Sequence, residues 1–175
     1  MLKELINETE MELMLERLAF QIIEECPSAE LCLVGIHRRG VTLSKRIHSI
    51  IKKHKNINLP LGALDITLYR DDLSEIGSFP AVYGSDIPFN INGKSILLID
   101  DVIYTGRTIR AAIDAVIDYG RPAKILLMAL IERGHRELPI QPNFTGKNIP
   151  TVKNEDVQVH VREIDGDNGV YIRKV

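Results

Sequence analysis

The sequence predicts an α/β fold in which a mostly parallel central sheet is flanked by helices. Two observations support this fold class. Apolar runs of strand length recur along the chain, at residues 31–36, 61–69, 94–99 and 123–131. Segments with the helical spacing of apolar residues lie between several of these runs, and strands that alternate with helices are typical of parallel sheets. The chain has 175 residues, which is enough for a single domain with its own core.

The chain up to residue 69 contains two predicted helices and two predicted strands. Apolar residues at helical spacing predict a helix over residues 8–25. The run LCLVGI at 31–36 predicts a buried strand, and HRRG after it predicts a loop. A second amphipathic helix is predicted over residues 43–51, with its basic residues on the outer face. The run LGALDITLY at 61–69 predicts the next strand.

The rest of the chain continues the alternation. Residues 70–84 are polar and contain glycine and proline, which predicts a mobile loop. DIPFNINGKSILLID then predicts a β-hairpin, because Asn-Gly is the turn pair best suited to joining two antiparallel strands. The second arm of this hairpin, at 94–99, is the predicted central strand. The remaining predicted elements are a helix at 107–119 and strands at 123–131, near 157–161 and near 170–173.

The composition is that of an ordinary globular domain. Hydrophobic residues make up 45% of the chain and charged residues 26%, and the net charge is −2. No apolar run approaches the length of a membrane span, and the N-terminus lacks the apolar core of a signal peptide. Cys26 and Cys32 match no metal-binding spacing and are predicted to be reduced thiols. We therefore expect a cytoplasmic protein without a membrane partner.

The stretch ILLIDDVIYTGRTIRAAID places two carboxylates directly after an apolar strand. Ligands of open parallel sheets bind at the carboxyl ends of the strands, where Asp100 and Asp101 are expected to lie. Two adjacent carboxylates can accept hydrogen bonds from the two hydroxyls of a ribose, or can hold Mg²⁺ through water. An apolar strand needs neither of them, so the pair predicts a polar ligand.

The turn after the acid pair, Tyr104 to Thr108, opens a helix and is called the phosphate turn below. Free backbone N–H groups and the helix dipole suit a phosphate there. Gly106 allows a close approach of the backbone, and the hydroxyls of Thr105 and Thr108 can donate to the anion. The alternative is that Asp101 caps the helix and the threonines are ordinary turn residues. Neither a Walker loop nor a Rossmann fingerprint is present, and the whole pattern predicts a pocket for a ribose 5-phosphate.

Residues 96–108 resemble the signature of type I phosphoribosyltransferases, which bind phosphoribosyl pyrophosphate (PRPP). The blocks DITLYRDDL, DIPFNI, GRPAKI, RGHRELPI and GKNIPT extend the match over nearly the whole chain beyond residue 30. Together they resemble the PyrR family of bifunctional pyrimidine operon regulators with uracil phosphoribosyltransferase activity. The resemblance implies the type I phosphoribosyltransferase fold as one domain over residues 1–175, with a small C-terminal hood at about 132–175. It also implies transfer of phosphoribose from PRPP to uracil, giving UMP and pyrophosphate, with Mg²⁺ as cofactor.

The resemblance assigns roles to the residues that handle PRPP. Asp100 and Asp101 would hold the ribose hydroxyls, and the whole phosphate turn, including Arg107, would cradle the 5′-phosphate. The segment GIHRRG, residues 35–40, matches the family's pyrophosphate loop. The residues expected to contact pyrophosphate are Arg38, Arg39 and Gly40. Arg39 aligns with the usual arginine, whereas His37 and Arg38 are less typical of that loop. Arg70 would lie at the base of the mobile loop that closes over PRPP.

The hood is expected to bind uracil. Backbone groups near Arg133, Gly134 and Val157 would read the donor and acceptor edge of the base. His135 is either part of this site or a loop histidine with an internal partner. Mg²⁺ would act through PRPP and stabilise the leaving pyrophosphate, and its direct protein ligands stay open. The family also implies a homodimer or larger assembly.

Binding of messenger RNA in response to UMP is the second function implied by the resemblance. Candidate RNA contacts are Arg17, Arg136 and Lys147. Residues 1–30 carry eight Glu against two basic residues, and Gln141 stands where a basic residue is expected, so we predict weakened RNA binding. The basic residues at 38–55 oppose this prediction. Two alternatives remain for the whole protein: a phosphoribosyltransferase for another base, such as a purine, and a non-catalytic UMP sensor that binds RNA.

Overall fold

A computed structural model describes residues 2–27, 29–72 and 81–174. The chain alternates strands and helices for most of its length and ends in a smaller antiparallel unit. In chain order the elements are β1 (Lys3–Ile6), α1 (Glu8–Glu25), β2 (Leu31–Ile36), α2 (Arg39–Lys55), β3 (Leu61–Leu64), a 3₁₀ turn (Thr67–Tyr69), β4 (Ser95–Ile103), α3 (Arg107–Ile117), β5 (Lys124–Glu132), β6 (Phe144–Asn148), β7 (Glu155–His160), α4 (Arg162–Asp165) and β8 (Gly169–Lys174).

Two sheets organise these elements. The central sheet has five parallel strands in the order β3-β2-β4-β5-β6. The second sheet has three antiparallel strands in the order β1-β8-β7, so the first strand of the chain pairs with the last. The central sheet confirms the predicted α/β fold. Strands β1 and β6 were not predicted from the sequence.

The central strands are buried on both faces, as expected for a parallel sheet covered by helices. Leu97 and Ile99 of β4 pack toward α1 and α2, whereas Ile96 and Leu98 pack toward α3. This alternation follows from the two-residue period of a strand. The two cysteines are buried free thiols, and burial raises the pKa of both. The sheet therefore forms a rigid base from which loops project at the strand ends.

The predicted hairpin around Asn92 and Gly93 is wrong. Strand β4 already has parallel neighbours on both sides, β2 and β5, and has no free edge for a hairpin partner. The Asn92 side chain accepts a hydrogen bond from the backbone N–H of Arg121 at 2.7 Å, and Gly93 donates to the Arg121 carbonyl at 3.0 Å. Asp86 forms only an isolated bridge with Ala63. The Asn-Gly turn therefore leads from a loop into the central strand.

The strand predicted over 61–69 ends early, at Leu64. Asp65 turns the chain there, because its Oδ1 accepts hydrogen bonds from the backbone N–H and the hydroxyl of Thr67. Its Oδ2 accepts from the N–H groups of Tyr83 and Gly84. Burial raises the pKa of Asp65, but these hydrogen bonds outweigh it and hold the pKa below the usual value. Hydrogen bonds to this carboxylate thus fix the backbone after Leu64, where the hydrogen bonds of the sheet end.

Two further expectations concern the ends of elements. The central strand runs to Ile103 instead of 99, so the acid pair belongs to the strand itself. The predicted mobile loop, at 70–84, falls largely outside the described residues, since 73–80 are not among them. In the described part of the chain, no helix combines the length and apolar character needed to cross a membrane.

Candidate active site

The site lies at the carboxyl end of β4, which extends beyond the end of its neighbour β2. The pairing of β2 with β4 ends at Gly35 opposite Ile99, whereas the pairing of β4 with β5 continues to Ile103 opposite Glu132. The last residues of β4 therefore border a gap on the β2 side. Loops from β2 and β4 meet across this gap, as expected at the carboxyl edge of a parallel sheet.

Asp100 and Asp101 lie at this gap. Asp100 is 6% exposed and Asp101 is partly exposed. Burial raises the pKa of Asp100 well above its usual value, and the charge of Asp101 adds to the rise. Burial also raises the pKa of Asp101, although the nearby Arg39 guanidinium opposes the rise. Burial and the neighbouring charge make the charged form of these carboxylates unfavourable. The pair is therefore suited to a ligand that donates hydrogen bonds or carries positive charge.

The pyrophosphate loop lies directly on the backbone of β4. A Cβ at Gly40 would overlap the carbonyl oxygen of Ile99, the residue before Asp100. A Cβ at Gly35 would come within 2.5 Å of the Ser44 hydroxyl oxygen. Only glycine fits at either position, and this close approach sets the loop beside the acid pair. Gly40, which is predicted to contact pyrophosphate, thus also has a packing function in the structure.

Arg39 is the first residue of α2 and turns toward the hood. Its Nε and Nη2 donate to the Asp165 carboxylate at 3.0 and 2.6 Å. This bond and the surrounding charges raise the pKa of Arg39. Neither Asp165 nor its contact with the pyrophosphate loop was predicted, because 126 residues separate the two partners and REID carries no motif.

His37 and Arg38, the less typical residues of the loop, both contact Tyr83. The His37 and Tyr83 rings are stacked with centroids 5.2 Å apart, and the Arg38 guanidinium lies 5.8 Å from the Tyr83 ring. Burial lowers the pKa of His37. The His37–Arg38 peptide bond is cis. These two side chains thus join the loop to the chain that follows the undescribed segment.

The phosphate turn leads into α3 through Gly106. Gly106 has a φ of 95° and precedes the helix without a side-chain cap, so Asp101 does not cap this helix. The Thr105 hydroxyl accepts a long hydrogen bond, 3.3 Å, from the Arg107 N–H. A helix start without a strong cap leaves backbone N–H groups for an anion.

Residues beyond β5 brace the phosphate turn from below. The Thr105 carbonyl accepts hydrogen bonds from the N–H groups of Glu137 and Leu138, at 2.9 and 3.1 Å. Arg136 donates to the Tyr104 carbonyl and pairs with Glu132 at 2.6 Å. These contacts fix the backbone of the phosphate turn against the segment that follows β5.

A cleft of about 460 Å³ adjoins the turn. Arg107 forms ion pairs there with Asp71 at 2.7 Å and with Glu137 at 2.9 Å. Arg70 pairs with Asp72 at 2.6 Å, and all of these side chains are well exposed. Exposed pairs of this kind contribute little to stability, so both arginines can change partners when an anion binds. The residues that line the cleft are Arg70, Asp71, Asp72, Thr105, Arg107 and Thr108.

Of the predicted base-binding residues, Arg133 contacts Tyr104. The Arg133 guanidinium lies 4.0 Å from the Tyr104 ring centroid and donates to the Glu155 carbonyl. Arg133 is buried and Val157 is 5% exposed, which leaves backbone groups as their contribution to a ligand. Gly134 has a φ of 81°. A base on the exposed side of Tyr104 would meet an aromatic wall backed by a cation.

His135 has an internal partner, which favours the loop-histidine alternative. Its Nε2 lies 2.6 Å from the carbonyl oxygen of Thr151. The ring also makes an edge contact with Tyr104 at 6.0 Å between centroids. The Nε2 of His135 is thus occupied by this internal contact, and the ring supports Tyr104 from its edge.

The three candidate RNA contacts do not form one exposed cluster. Arg17 donates to the carbonyl of Gly146, which places it beside exposed Lys147. Arg136 is turned inward, and its side chain is only 12% exposed. The outer face of α1 is acidic and exposed, as Glu12 and Glu16 illustrate. The charge of the first helix is thus presented to solvent, as the sequence predicted.

Within the described ranges, no group of three or more His, Cys, Asp or Glu side chains is arranged to hold a metal ion directly. The acid pair has the oxygen donors that Mg²⁺ prefers. Two oxygens from neighbouring residues suit a cation that keeps most of its water or is brought by a phosphate ligand. The residues present therefore fit Mg²⁺ held through water or substrate.

Comparison with known proteins agrees with this geometry. The family model described as "Phosphoribosyl transferase domain" matches residues 1–163. The Bifunctional protein PyrR of Thermus aquaticus is 54% identical over 95% of this chain and 93% of its own length. The protein of the same name from Caldicellulosiruptor bescii is 52% identical over 99% and 96%. A hypoxanthine-guanine phosphoribosyltransferase of Bacillus anthracis has the same fold, with a TM-score of 0.73 at 17% identity, over 99% of this chain and 98% of that one.

Proposed function

The chain belongs to the phosphoribosyltransferases and, among them, to the PyrR family, and from this premise we propose that it transfers phosphoribose from PRPP to uracil. The products are UMP and pyrophosphate. The observation that carries the proposal is the acid pair at the end of β4, with Asp100 buried and Asp101 partly exposed, next to a helix start without a side-chain cap. The acid pair accepts hydrogen bonds from a ribose, and the helix start binds the phosphate on the 5′ carbon of that ribose. In this arrangement the bond from C1′ to the pyrophosphate oxygen breaks, and its electron pair leaves with pyrophosphate. The bond from C1′ to uracil N1 forms, and the proton of N1 passes to the departing pyrophosphate or to water.

Asp100 and Asp101 act on the ribose. Positive charge develops on the ribose ring as pyrophosphate leaves, and two carboxylates beside the hydroxyls stabilise that charge electrostatically. Burial raises the pKa of both aspartates, so the charged form of each is unfavourable until a positive charge lies beside it. The reaction requires no protein nucleophile. The pair thus binds substrate and also lowers the barrier.

The pyrophosphate loop receives the leaving group. Arg38, Arg39 and the backbone at Gly40 supply donors and positive charge next to the acid pair. Mg²⁺ bound to the pyrophosphate of PRPP would neutralise the leaving group, with Asp100 and Asp101 holding it through water. Two sets of charges of opposite sign thus meet at C1′, and each stabilises one side of the breaking bond.

The phosphate turn holds the other end of PRPP. The first backbone N–H groups of α3 point at the anion, and the hydroxyls of Thr105 and Thr108 add donors. Arg107 exchanges its pairs with Asp71 and Glu137 for the phosphate. UMP carries the same phosphate as PRPP, so the turn binds substrate and product alike.

Uracil binds between the Tyr104 ring and the hood. Backbone groups of Gly134 and Val157 read its donor and acceptor edge, while buried Arg133 supports Tyr104 from behind. Uracil is small and neutral, and it needs no charged partner. A purine would need more room on the same wall.

An activity assay across six bases tests this proposal. Purified protein is incubated with PRPP and Mg²⁺ and with uracil, hypoxanthine, guanine, xanthine, adenine or orotate. We expect UMP and pyrophosphate from uracil, with a kcat/KM at least about a hundredfold above that for any purine, because a hydrogen-bonding pocket discriminates strongly. Faster transfer to a purine would favour the alternative enzyme. UMP binding without transfer to any base would favour the non-catalytic sensor.

Regulation of pyrimidine genes through messenger RNA is the second function that we propose. The relatives named as bifunctional proteins support it. The described surface supports it less, because the exposed face of α1 is acidic and Arg136 is turned inward. The exposed basic residues of α2, such as Lys45 and Lys52, offer the alternative surface.

We expect a pyrimidine-leader RNA hairpin to bind weakly and without sequence preference, even at saturating UMP. RNA phosphates near α1 meet repulsion, and each missing phosphate contact lowers the affinity. Filter binding at near-physiological salt, with a hairpin and with the same hairpin carrying a scrambled loop, measures this. Nanomolar binding that UMP strengthens and scrambling abolishes would contradict the expectation and place the RNA surface elsewhere, for instance on α2.

A further inference from the structure

The short helix α4 presses a carboxylate against the pyrophosphate loop. Asp165 accepts two hydrogen bonds from Arg39. The distance from Nε to Oδ2 is 3.0 Å, and the distance from Nη2 to Oδ1 is 2.6 Å. We propose that Asp165 is a positioning residue, which aims the Arg39 guanidinium at the pyrophosphate group of PRPP. This assignment rests on the proposed function, because it gives Arg39 the leaving group as its target.

Asp165 is well suited to hold another side chain still. Its Oδ2 also accepts a hydrogen bond from the backbone N–H of Val161 at 2.9 Å. Its own N–H donates to the Val161 carbonyl at 2.8 Å. The carboxylate is 12% exposed, so water competes little for it. Because both its side chain and its backbone N–H are hydrogen-bonded to Val161, Asp165 presents a fixed acceptor to Arg39.

The geometry of the pair leaves part of Arg39 available. A guanidinium has five N–H donors, and Asp165 occupies the edge formed by Nε and Nη2. Within the described residues, Nη1 of Arg39 makes no hydrogen bond, and the side chain is 34% exposed. The next residue, Gly40, packs against Ile99 and Asp100 at the end of β4. Arg39 thus lies close to the strand of the acid pair and keeps one donor group for an anion that binds there.

Orientation matters for this side chain because arginine is long and has many rotamers. An unrestrained arginine loses that freedom only when the ligand binds, and the loss weakens binding. An arginine already fixed by a bidentate carboxylate meets the ligand in the correct orientation. Since UMP has no pyrophosphate, this benefit reaches PRPP and pyrophosphate but not UMP.

A second ion pair between α4 and α2 provides the matched control. Arg46 donates to Glu163 at 3.2 and 2.5 Å, and also to Asn168 at 2.7 Å. This pair joins the same two helices but is farther along α2 from the acid pair. If Asp165 served only to attach the hood, loss of either carboxylate would have the same effect. If Asp165 aims Arg39, only its loss affects pyrophosphate.

The experiment compares Asp165→Asn with Glu163→Gln in the full chain. PRPP is varied at saturating uracil, pyrophosphate is varied in the reverse reaction with UMP, and UMP affinity is measured by calorimetry. For Asp165→Asn we expect kcat/KM for PRPP and for pyrophosphate to fall by roughly tenfold to a hundredfold, the range for a charge-assisted hydrogen bond. UMP affinity should change less than about twofold. Glu163→Gln should match wild type in all three measurements.

Each result decides something. Equal losses in both variants, or a parallel loss of UMP affinity, would make Asp165 a structural clamp, and unchanged PRPP kinetics in Asp165→Asn would also overturn the proposal. Absence of transfer by the wild type would overturn the proposed function, and this assignment with it. If the Asn variant does not fold, Asp165→Glu keeps the charge but displaces the guanidinium. It should show the same loss for PRPP with normal UMP binding, and normal PRPP kinetics there would refute the assignment.

Discussion

Asp101→Asn is expected to lower kcat/KM for PRPP by about one to two orders of magnitude while the protein stays folded. A charge-assisted hydrogen bond to a ribose hydroxyl is worth about 1.5–3 kcal/mol, and its loss appears in the rate when it is made in the transition state. Asparagine keeps the size of the side chain, so the cleft should keep its shape. Steady-state kinetics with PRPP as the varied substrate measure the effect.

Asp100→Asn extends this prediction to stability. Because burial and the charge of Asp101 raise the pKa of Asp100, the folded protein binds this proton more tightly than the unfolded chain does. The free energy of unfolding therefore falls as pH rises from the usual aspartate pKa through the raised value. Asparagine cannot ionise, so the melting temperature of Asp100→Asn should rise relative to that of wild type as pH increases through that range, which thermal melts over a series of pH values measure. Wild-type kinetics in both Asn variants would exclude a role in ribose binding.

Gly106→Val is expected to abolish the binding of PRPP and UMP together. The φ of 95° is a conformation that valine adopts only under strain. A Cβ at this position would also lie 3.4 Å from Arg136 Cδ and 3.4 Å from Leu138 Cβ, so two further methyl groups would displace the segment that braces the turn. Calorimetry should show at least about a hundredfold loss of affinity for UMP, because several backbone N–H contacts fail at once.

Gly93→Ala is the control for backbone strain alone. Gly93 has a φ of 69°, and a Cβ there would have open space around it. It precedes β4 at the end of the strand opposite to the acid pair. We expect a loss of about 1–2 kcal/mol in the free energy of unfolding with normal UMP affinity. Normal UMP affinity in Gly106→Val as well would place the phosphate somewhere else.

The sequence predicted most of the central sheet because burial on both faces leaves continuous apolar runs. Strand β6, FTGKN, has no such run, since it pairs only at the edge of the sheet. Strand β1 has four residues and depends on β8, from the far end of the chain. The hairpin at Asn92 was wrong because local turn chemistry cannot show that both edges of β4 are already occupied. Long-range pairing decided each of these cases.

The candidate site, like the fold, has parts that could be predicted from the sequence and parts that could not. The acid pair and the phosphate turn are contiguous in sequence, so their residue types and spacing indicate their chemistry directly. The ion pair of Arg39 with Asp165 joins α2 to α4, and no local sequence pattern indicates it. The inward turn of Arg136 depends on Glu132 and on the Tyr104 carbonyl. Contacts that orient a side chain through distant partners require the folded structure.

The pairing of β1 with β8 also sets an order of events during synthesis on the ribosome. Strand β1 is translated before its partner, which follows roughly 165 residues later. At elongation rates of about 5–20 residues per second, that gap lasts roughly 8–33 seconds. Throughout this interval the nascent chain carries an unpaired strand, and it also lacks α4. The antiparallel sheet and the contact of α4 with Arg39 therefore form only after β8 has emerged, and we expect phosphoribosyl transfer to begin only then.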